Sequence, residues 1–279
     1  MRTLISAEAL LALIQRGPAP VLLDCGFDLA DTAAGARAYA AGHLPGAHYA
    51  HLDNDLSAAK TGRNGRHPLP TREAFARTVA RWGVAPGVAV VCYDDQGGPY
   101  AARAWWMLQW LGASEAAVLD GGKAAWLRAG GTLDAGVPQA AATLAPYPLG
   151  AQPGMPTVDA DALLAALGRT TILDARPAER FRGESEPLDP VAGHIPGARH
   201  RFFKDNLGAD GRFLPPAQLR AAFAAYGAEP QRIVQQCGSG VTACHNLLAM
   251  AHAGLGTSVL YPGSWSEWCA DPARPVARG

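Results

Sequence analysis

The stretch AGHIPGA at residues 192–198 repeats the stretch AGHLPGA at residues 41–47. Three further pairs of segments flank these two in the same order. They are VLLD at 21–24 with TILD at 171–174, VVCYD at 90–94 with IVQQC at 233–237, and DGG at 120–122 with PGS at 262–264. Four matches in one order indicate an internal duplication. The chain therefore predicts two homologous domains.

Each half alternates short apolar strands with helical segments, a pattern typical of βα units around a largely parallel sheet. In the second half the strands are expected at 171–174, 232–236 and 257–261, and the helices at 159–167 and 216–226. The prediction is an α/β fold with two domains, each a largely parallel sheet flanked by helices. Their expected limits are 1–135 and 157–279. Residues 136–156, rich in Pro, Ala and Gly, are the expected linker.

Composition excludes several classes of function. The 279 residues carry 24 basic and 24 acidic side chains, without the positive excess that nucleic-acid binding needs. No apolar run approaches the roughly 18 residues of a membrane span, and the first 17 residues lack the features of a secretory signal. The five cysteines are odd in number and contain no CxxC pair, so neither a disulfide framework nor a zinc site is expected. A reducing compartment, the cytoplasm, is the expected location.

The loop CGSGVTA at 237–243 carries the expected chemistry. It lies between a buried strand and an alanine-rich helix, and its glycines let the backbone curl. Backbone N–H groups of Gly238, Gly240, Val241 and Thr242, with the helix dipole, are expected to stabilise the Cys237 thiolate and then a persulfide on it. In the first half Asp94 takes the matching position, so that half is expected to be inactive. The other four cysteines are interpreted as buried structural residues.

Several motifs together resemble the tandem-domain rhodanese family. They are the CGSGVTA loop, the paired GHxPGA segments, DAR at 174–176 and GSWSEW at 263–268. The resemblance is strongest to the 3-mercaptopyruvate sulfurtransferase branch, because the loop is neutral, whereas the thiosulfate branch has basic residues after the cysteine. It implies two rhodanese-like domains, an active site at their interface on the second domain, and catalysis through a Cys237 persulfide. No metal and no organic cofactor is implied.

The same resemblance suggests the other site residues. Arg180 matches the arginine that binds the anionic group of the donor, since guanidinium suits a carboxylate. Ser239, His67 and Asp55 match a hydrogen-bonded set that assists proton movement when the enolate departs. A second family arginine is replaced by Leu188, which puts the donor preference in question. Arg182, close to Arg180, is a further candidate for the donor contact. The arginines that could compensate for Leu188 are Arg199 and Arg201.

Three other functions are compatible with a fold of this kind. Thiosulfate could replace 3-mercaptopyruvate as the donor; with either donor, the expected acceptor is cyanide, a small thiol or thioredoxin. A phosphatase of the same fold needs an arginine where this chain has Ala243, which argues against that activity. A catalytically silent rhodanese-like module that binds a protein partner is the alternative of another class. The intact cysteine loop favours an enzyme.

Overall fold

The computed structural model describes residues 3–137, 143–227 and 229–279, and it divides into two compact units. The first unit contains residues 1–57, 70–154 and 209–213, and the second contains 58–69, 155–208 and 214–279. Part of the expected linker, residues 138–142, lies outside the described residues, so the sequence-derived domain limits stay a prediction. Among the described residues, no helix is long and apolar enough to cross a membrane.

The first unit is built on a parallel sheet of five strands in the order β1-β5-β4-β2-β3. Its strands are β1 (Leu4–Ile5), β2 (Val21–Asp24), β3 (His48–Tyr49), β4 (Val90–Tyr93) and β5 (Ala116–Leu119). Its helices are α1 (Ala7–Arg16), α2 (Ala34–Ala41), α3 (Arg72–Arg81), α4 (Pro99–Leu111) and α5 (Gly122–Arg128). Ser6 caps α1: its hydroxyl accepts the N–H of Ala9.

The second unit has a parallel sheet of four strands in the order β7-β6-β8-β9. Its strands are β6 (Thr171–Asp174), β7 (Ala198–His200), β8 (Ile233–Gln236) and β9 (Val259–Leu260). Its helices are α6 (Ala160–Ala165), α7 (Ala178–Arg182), α8 (Pro216–Ala224), α9 (Ala243–His252) and α10 (Ser264–Trp268), with 3₁₀ turns at Phe203–Asn206 and Pro230–Arg232. The predicted α/β class with parallel sheets is confirmed, and the element ends differ from the predicted ones by a few residues.

Each sheet buries its own apolar core. In the second unit Ile172 and Val234 pack with Trp265 and Trp268, and both indoles are fully buried. Their N–H groups donate to the carbonyls of Val191 and Pro275, at 2.9 and 2.8 Å. Each large apolar side chain of this kind stabilises the fold by about 1.5–3 kcal/mol. The two tryptophans therefore hold α10 against the sheet.

The GHxPGA segments have the same structure in both units. His43 stacks on Tyr39 with ring centroids 4.0 Å apart, and its Nδ1 lies 2.8 Å from the Tyr39 carbonyl. His194 stacks on Phe181, also at 4.0 Å, with Nδ1 2.8 Å from the Phe181 carbonyl. The same contacts in a half without a nucleophile indicate a structural role for these histidines.

Candidate active site

The candidate site is the loop between β8 and α9, which begins at Cys237. Strand register places Gln236 beside Asp174, so Cys237 follows directly after the carboxyl end of the central strand pair. In open α/β sheets, ligands bind at this edge. Cys237 is only 2% exposed, and the following α9 runs from Ala243 to His252. The loop therefore presents its cysteine at the end of the sheet and at the start of a helix.

The start of α10 fixes the loop from one side. The N–H of Cys237 donates to Oγ of Ser264 at 3.1 Å, and the Cys237 carbonyl accepts the N–H of Trp265 at 3.0 Å. Ser264 adopts a positive φ of 54°, a strained conformation for a residue with a Cβ. Gly240 has φ +74°, and a Cβ there would lie 2.3 Å from the Pro262 carbonyl oxygen. Only glycine fits at that position.

The remaining loop residues lead into α9. Val241 is buried, and its carbonyl accepts the N–H of Cys244 at 3.0 Å. The Thr242 carbonyl accepts the N–H of His245 at 3.2 Å. Cys244 points back at the loop, with Sγ 3.3 Å from the Gly240 carbonyl. These bonds begin the helix immediately behind the cysteine, where its dipole favours negative charge.

The equivalent loop of the first unit is closed around a carboxylate. Asp94 follows β4 as Cys237 follows β8, and it is buried. Its oxygens accept four backbone N–H groups, at 2.8–2.9 Å, from Gln96, Gly98, Tyr100 and Ala101. Burial raises the pKa of Asp94, and these hydrogen bonds act in the opposite direction. In the first unit, the backbone N–H groups at this turn therefore bind the side-chain carboxylate of Asp94.

Two of the predicted proton-transfer residues are in contact. Nδ1 of His67 lies 2.7 Å from Oγ of Ser239, and both side chains are buried. His67 belongs to segment 58–69, which the structure groups with the second unit. The N–H of Arg66 donates to Oγ of Ser266 at 2.9 Å, which anchors this segment beside α10. The structure thus brings Ser239 and His67 together, as expected from the resemblance.

Asp55, the third expected member of the set, belongs to the first unit. Its carboxylate accepts the N–H of His51 at 2.9 Å and a guanidinium N–H of Arg81 at 2.8 Å. Burial raises the pKa of Asp55, while the bond from His51 and the charge of Arg81 lower it. Its part in proton movement stays a prediction.

Arg180 lies beside the cysteine loop and has a neighbour that the sequence did not reveal. A Cβ built on Gly238 would lie 3.4 Å from Nη1 of Arg180 and 3.0 Å from Nη2 of Arg66. Two guanidinium groups therefore border the residue next to Cys237. Arg66 directly precedes His67, but no sequence pattern marks it as a partner of a loop about 170 positions away.

Buried carboxylates hold both arginines. Glu186 accepts Nε and Nη2 of Arg180, the latter at 2.7 Å. Asp189 accepts Arg180 Nη2 at 3.1 Å and Arg66 Nη1 at 2.5 Å. Arg176 joins the same set, with bonds to Asp174 and to Glu186. Burial acts to lower the pKa of Arg176, but the charges of these two carboxylates raise it overall.

The other arginines considered from the sequence have different partners. Arg182 pairs with Glu184, and both side chains are about half exposed. Arg199 lies over the ring of Tyr226 at 4.6 Å. Arg201 is buried and donates to Oδ1 of Asn206 at 2.8 Å. None of these three contacts involves the cysteine loop, whereas Arg66 does border it.

Comparison with known proteins gives one consistent family. The model of the Rhodanese-like domain matches residues 6–129 and again residues 159–271. A probable 3-mercaptopyruvate sulfurtransferase of Pseudomonas aeruginosa is 50% identical over 283 residues, covering 99% of this chain and 98% of that protein. A putative thiosulfate sulfurtransferase of Mycobacterium tuberculosis is 41% identical over 290 residues, covering 100% and 98%.

Solved structures agree with the sequence relatives. The 3-mercaptopyruvate sulfurtransferase from Leishmania major superposes with a TM-score of 0.84 at 31% identity, covering 96% of this chain and 74% of that one. The corresponding enzyme of Escherichia coli gives a TM-score of 0.78 at 30% identity, covering 95% and 99%. The names of these relatives all indicate sulfur transfer, but they differ in the sulfur donor that they give.

Proposed function

Because this chain belongs to the rhodanese family and is a sulfurtransferase with two rhodanese-like domains, we propose that it takes sulfur from 3-mercaptopyruvate through a persulfide on Cys237. The observation that carries the proposal is the pair of guanidinium groups, from Arg66 and Arg180, that borders Gly238. They offer an anionic donor a binding place one residue from the nucleophile. Guanidinium groups bind carboxylates in a bidentate fashion.

In the first half-reaction, the Cys237 thiolate attacks the sulfur of the bound donor. A sulfur–sulfur bond forms and the carbon–sulfur bond of the donor breaks, leaving its electron pair on carbon as the pyruvate enolate. The Ser239 hydroxyl, in contact with His67 at 2.7 Å, passes the proton of the donor thiol to the enolate, which becomes pyruvate. Positive charge and loop N–H groups favour the anionic persulfide that remains.

In the second half-reaction, a thiophilic acceptor attacks the outer sulfur of the persulfide. The sulfur–sulfur bond breaks, its electron pair returns to Cys237, and the thiolate is restored. Cyanide, a small thiol and thioredoxin are the acceptors that this chemistry allows. We propose the cytoplasm as the compartment because a persulfide cycle requires reduced cysteines, and the five cysteines of this chain are unpaired.

Thiosulfate is the second candidate donor. The relative from Mycobacterium tuberculosis supports it, and so does Arg66, which adds a cation where the sequence suggested only one. Against it, the two arginines are already paired with Glu186 and Asp189, so little positive charge remains for a second negative charge on the donor. The neutral residues Gly238 and Ser239 add no positive charge. Mercaptopyruvate therefore fits better.

A silent module that binds a protein partner is the alternative of another class. Cys237 and the His67–Ser239 contact support an enzyme instead. The test is steady-state kinetics with purified protein, with cyanide as acceptor and each donor in turn. We expect a higher kcat/KM for 3-mercaptopyruvate than for thiosulfate. A clear thiosulfate preference would refute the donor assignment, and no turnover of either donor would point to a different sulfur donor.

A further inference from the structure

We propose that Asp189 is a positioning residue that sets the charge of the donor site and so selects a donor with one negative charge over one with two. The inference rests on the proposed function and deepens it. Asp189 acts through Arg66 and Arg180 rather than on the reacting atoms. It lies in the segment between α7 and β7, one residue after Leu188.

The carboxylate of Asp189 bridges the two guanidinium groups. Its Oδ1 accepts Nη1 of Arg66 at 2.5 Å, and its Oδ2 accepts Nη2 of Arg180 at 3.1 Å. The side chain of Asp189 is 4% exposed, against 20% for Arg66 and 13% for Arg180. Arg66 Nη2 and Arg180 Nη1 face Gly238. The Asp189 carboxylate therefore fixes the spacing of the two guanidinium groups and leaves one nitrogen of each beside Gly238.

The ion pairs around this site form one connected set. Asp189 joins Arg66 to Arg180, and Glu186 joins Arg180 to Arg176. Asp174 completes the set through Arg176. It contains three guanidinium groups and three carboxylates, so its formal charge is zero. Burial raises the pKa of Asp189, while the charge and hydrogen bond of Arg66 oppose this and favour the carboxylate.

This balance makes the second charge of a donor costly. Charges a few ångströms apart at a partly buried site interact several times more strongly than in water. A carboxylate donor brings one negative charge to two guanidinium groups that already share Asp189. A thiosulfate dianion brings two, and its second charge is opposed by the nearby carboxylate. A neutral residue in place of Asp189 would remove this repulsion of the second negative charge.

Asp189 is a better site for this test than Glu186. Glu186 also accepts the backbone N–H groups of Leu188 and Asp189 and binds Arg176, so its loss would change the fold of the segment. The bonds from the Asp189 carboxylate go to the two arginines that border Gly238. A change of charge at residue 189 therefore acts mainly on the donor site.

The experiment compares kcat/KM for thiosulfate and for 3-mercaptopyruvate in Asp189→Asn and in the parent protein, with cyanide as acceptor. We expect the thiosulfate-to-mercaptopyruvate ratio to rise by about tenfold or more in Asp189→Asn. The rise should shrink as ionic strength increases, because salt screens charge. A purely structural role would lower both values together and leave the ratio and its salt dependence unchanged.

Two matched variants serve as controls. Asp189→Glu keeps the charge, so its ratio should stay within about threefold of the parent. Glu184→Gln removes a carboxylate from the exposed Arg182 pair of the same segment, and its ratio should not change. If Asp189→Asn does not fold, Asp189→Ser is tested in its place. Unfolding of both neutral variants would overturn the proposal, since Asp189 would then be a structural residue.

A ratio within about threefold of the parent in Asp189→Asn would also overturn the proposal, even if both donors are used well. If the proposed function is wrong, the kinetics of the parent protein give a different result. In that case the parent protein itself uses neither donor, or it prefers thiosulfate before any substitution is made.

Discussion

Nδ1 of His67 lies 2.7 Å from Oγ of Ser239, although 172 positions separate the two residues. Ser239 is the second residue after Cys237. The contact therefore brings the His67 imidazole, which belongs to a distant segment of the chain, next to the cysteine loop. The arrangement suits proton delivery to a leaving enolate. It is of less use when sulfite leaves thiosulfate, because no carbon has to be protonated.

Ser239→Ala should therefore affect the two donors differently. We expect kcat/KM for 3-mercaptopyruvate to fall by about a hundredfold, the usual scale for loss of a general acid. The value for thiosulfate should fall by less than about tenfold. Steady-state kinetics with cyanide measures both. An equal loss with both donors would contradict a proton-transfer role and point to a damaged loop.

Arg66→Gln should weaken binding of the donor. A hydrogen bond to a charged group contributes about 1.5–3 kcal/mol, so KM for 3-mercaptopyruvate should rise roughly ten- to a hundredfold with a smaller change in kcat. Arg63→Gln is the matched control, because Arg63 lies in the same segment but is exposed. An unchanged KM in Arg66→Gln would show that Arg66 does not bind the donor.

Gly240→Ala should destabilise the protein more than Gly254→Ala. Both glycines have nearly the same φ, +74° and +73°, so the strain of a positive φ is common to both, about 1–3 kcal/mol. Gly254 has open space around it, whereas a Cβ at Gly240 would meet the Pro262 carbonyl at 2.3 Å. Thermal unfolding should give a Tm several degrees lower for Gly240→Ala. Equal Tm values would mean that the loop can move away from Pro262.

Alkylation near neutral pH should modify Cys237 before Cys25 and Cys269. Burial raises the pKa of Cys269 to about 11, with a further contribution from the charge of Asp189, and burial also raises the pKa of Cys25 well above its usual value. Both are therefore thiols at neutral pH and react slowly. Peptide mapping after a short exposure to iodoacetamide checks this. Modification of Cys269 at the same rate as Cys237 would contradict this order of reactivity.

The fold could be predicted from the sequence because it depends on local patterns that occur twice. The TILD and IVQQ strands and the GHIPGA turn are short apolar or turn-forming segments, and each has a counterpart in the other half. Cys237 could be proposed for the same reason, since a strand, a glycine-rich turn and a helix are adjacent in sequence.

The second guanidinium group of the candidate donor site could not be predicted in this way. Arg66 reaches Gly238 because segment 58–69 lies against α10, where Ser266 accepts the N–H of Arg66, and that contact joins residues 200 positions apart. From the sequence, Leu188 is expected to remove a donor-binding arginine, whereas the structure places Arg66 beside Gly238, where a second guanidinium can bind a donor. The bridging role of Asp189 depends on the same tertiary contact.

The most direct test of the central claim is the mass of the peptide that contains Cys237 after brief exposure to 3-mercaptopyruvate without an acceptor. A persulfide predicts a gain of about 32 Da, one sulfur atom, which cyanide then removes. Cys237→Ser should abolish the gain, while Cys244→Ser, in which the hydroxyl can keep the bond to the Gly240 carbonyl, should retain it. An unmodified Cys237 peptide in protein that still turns over the donor would contradict the persulfide mechanism.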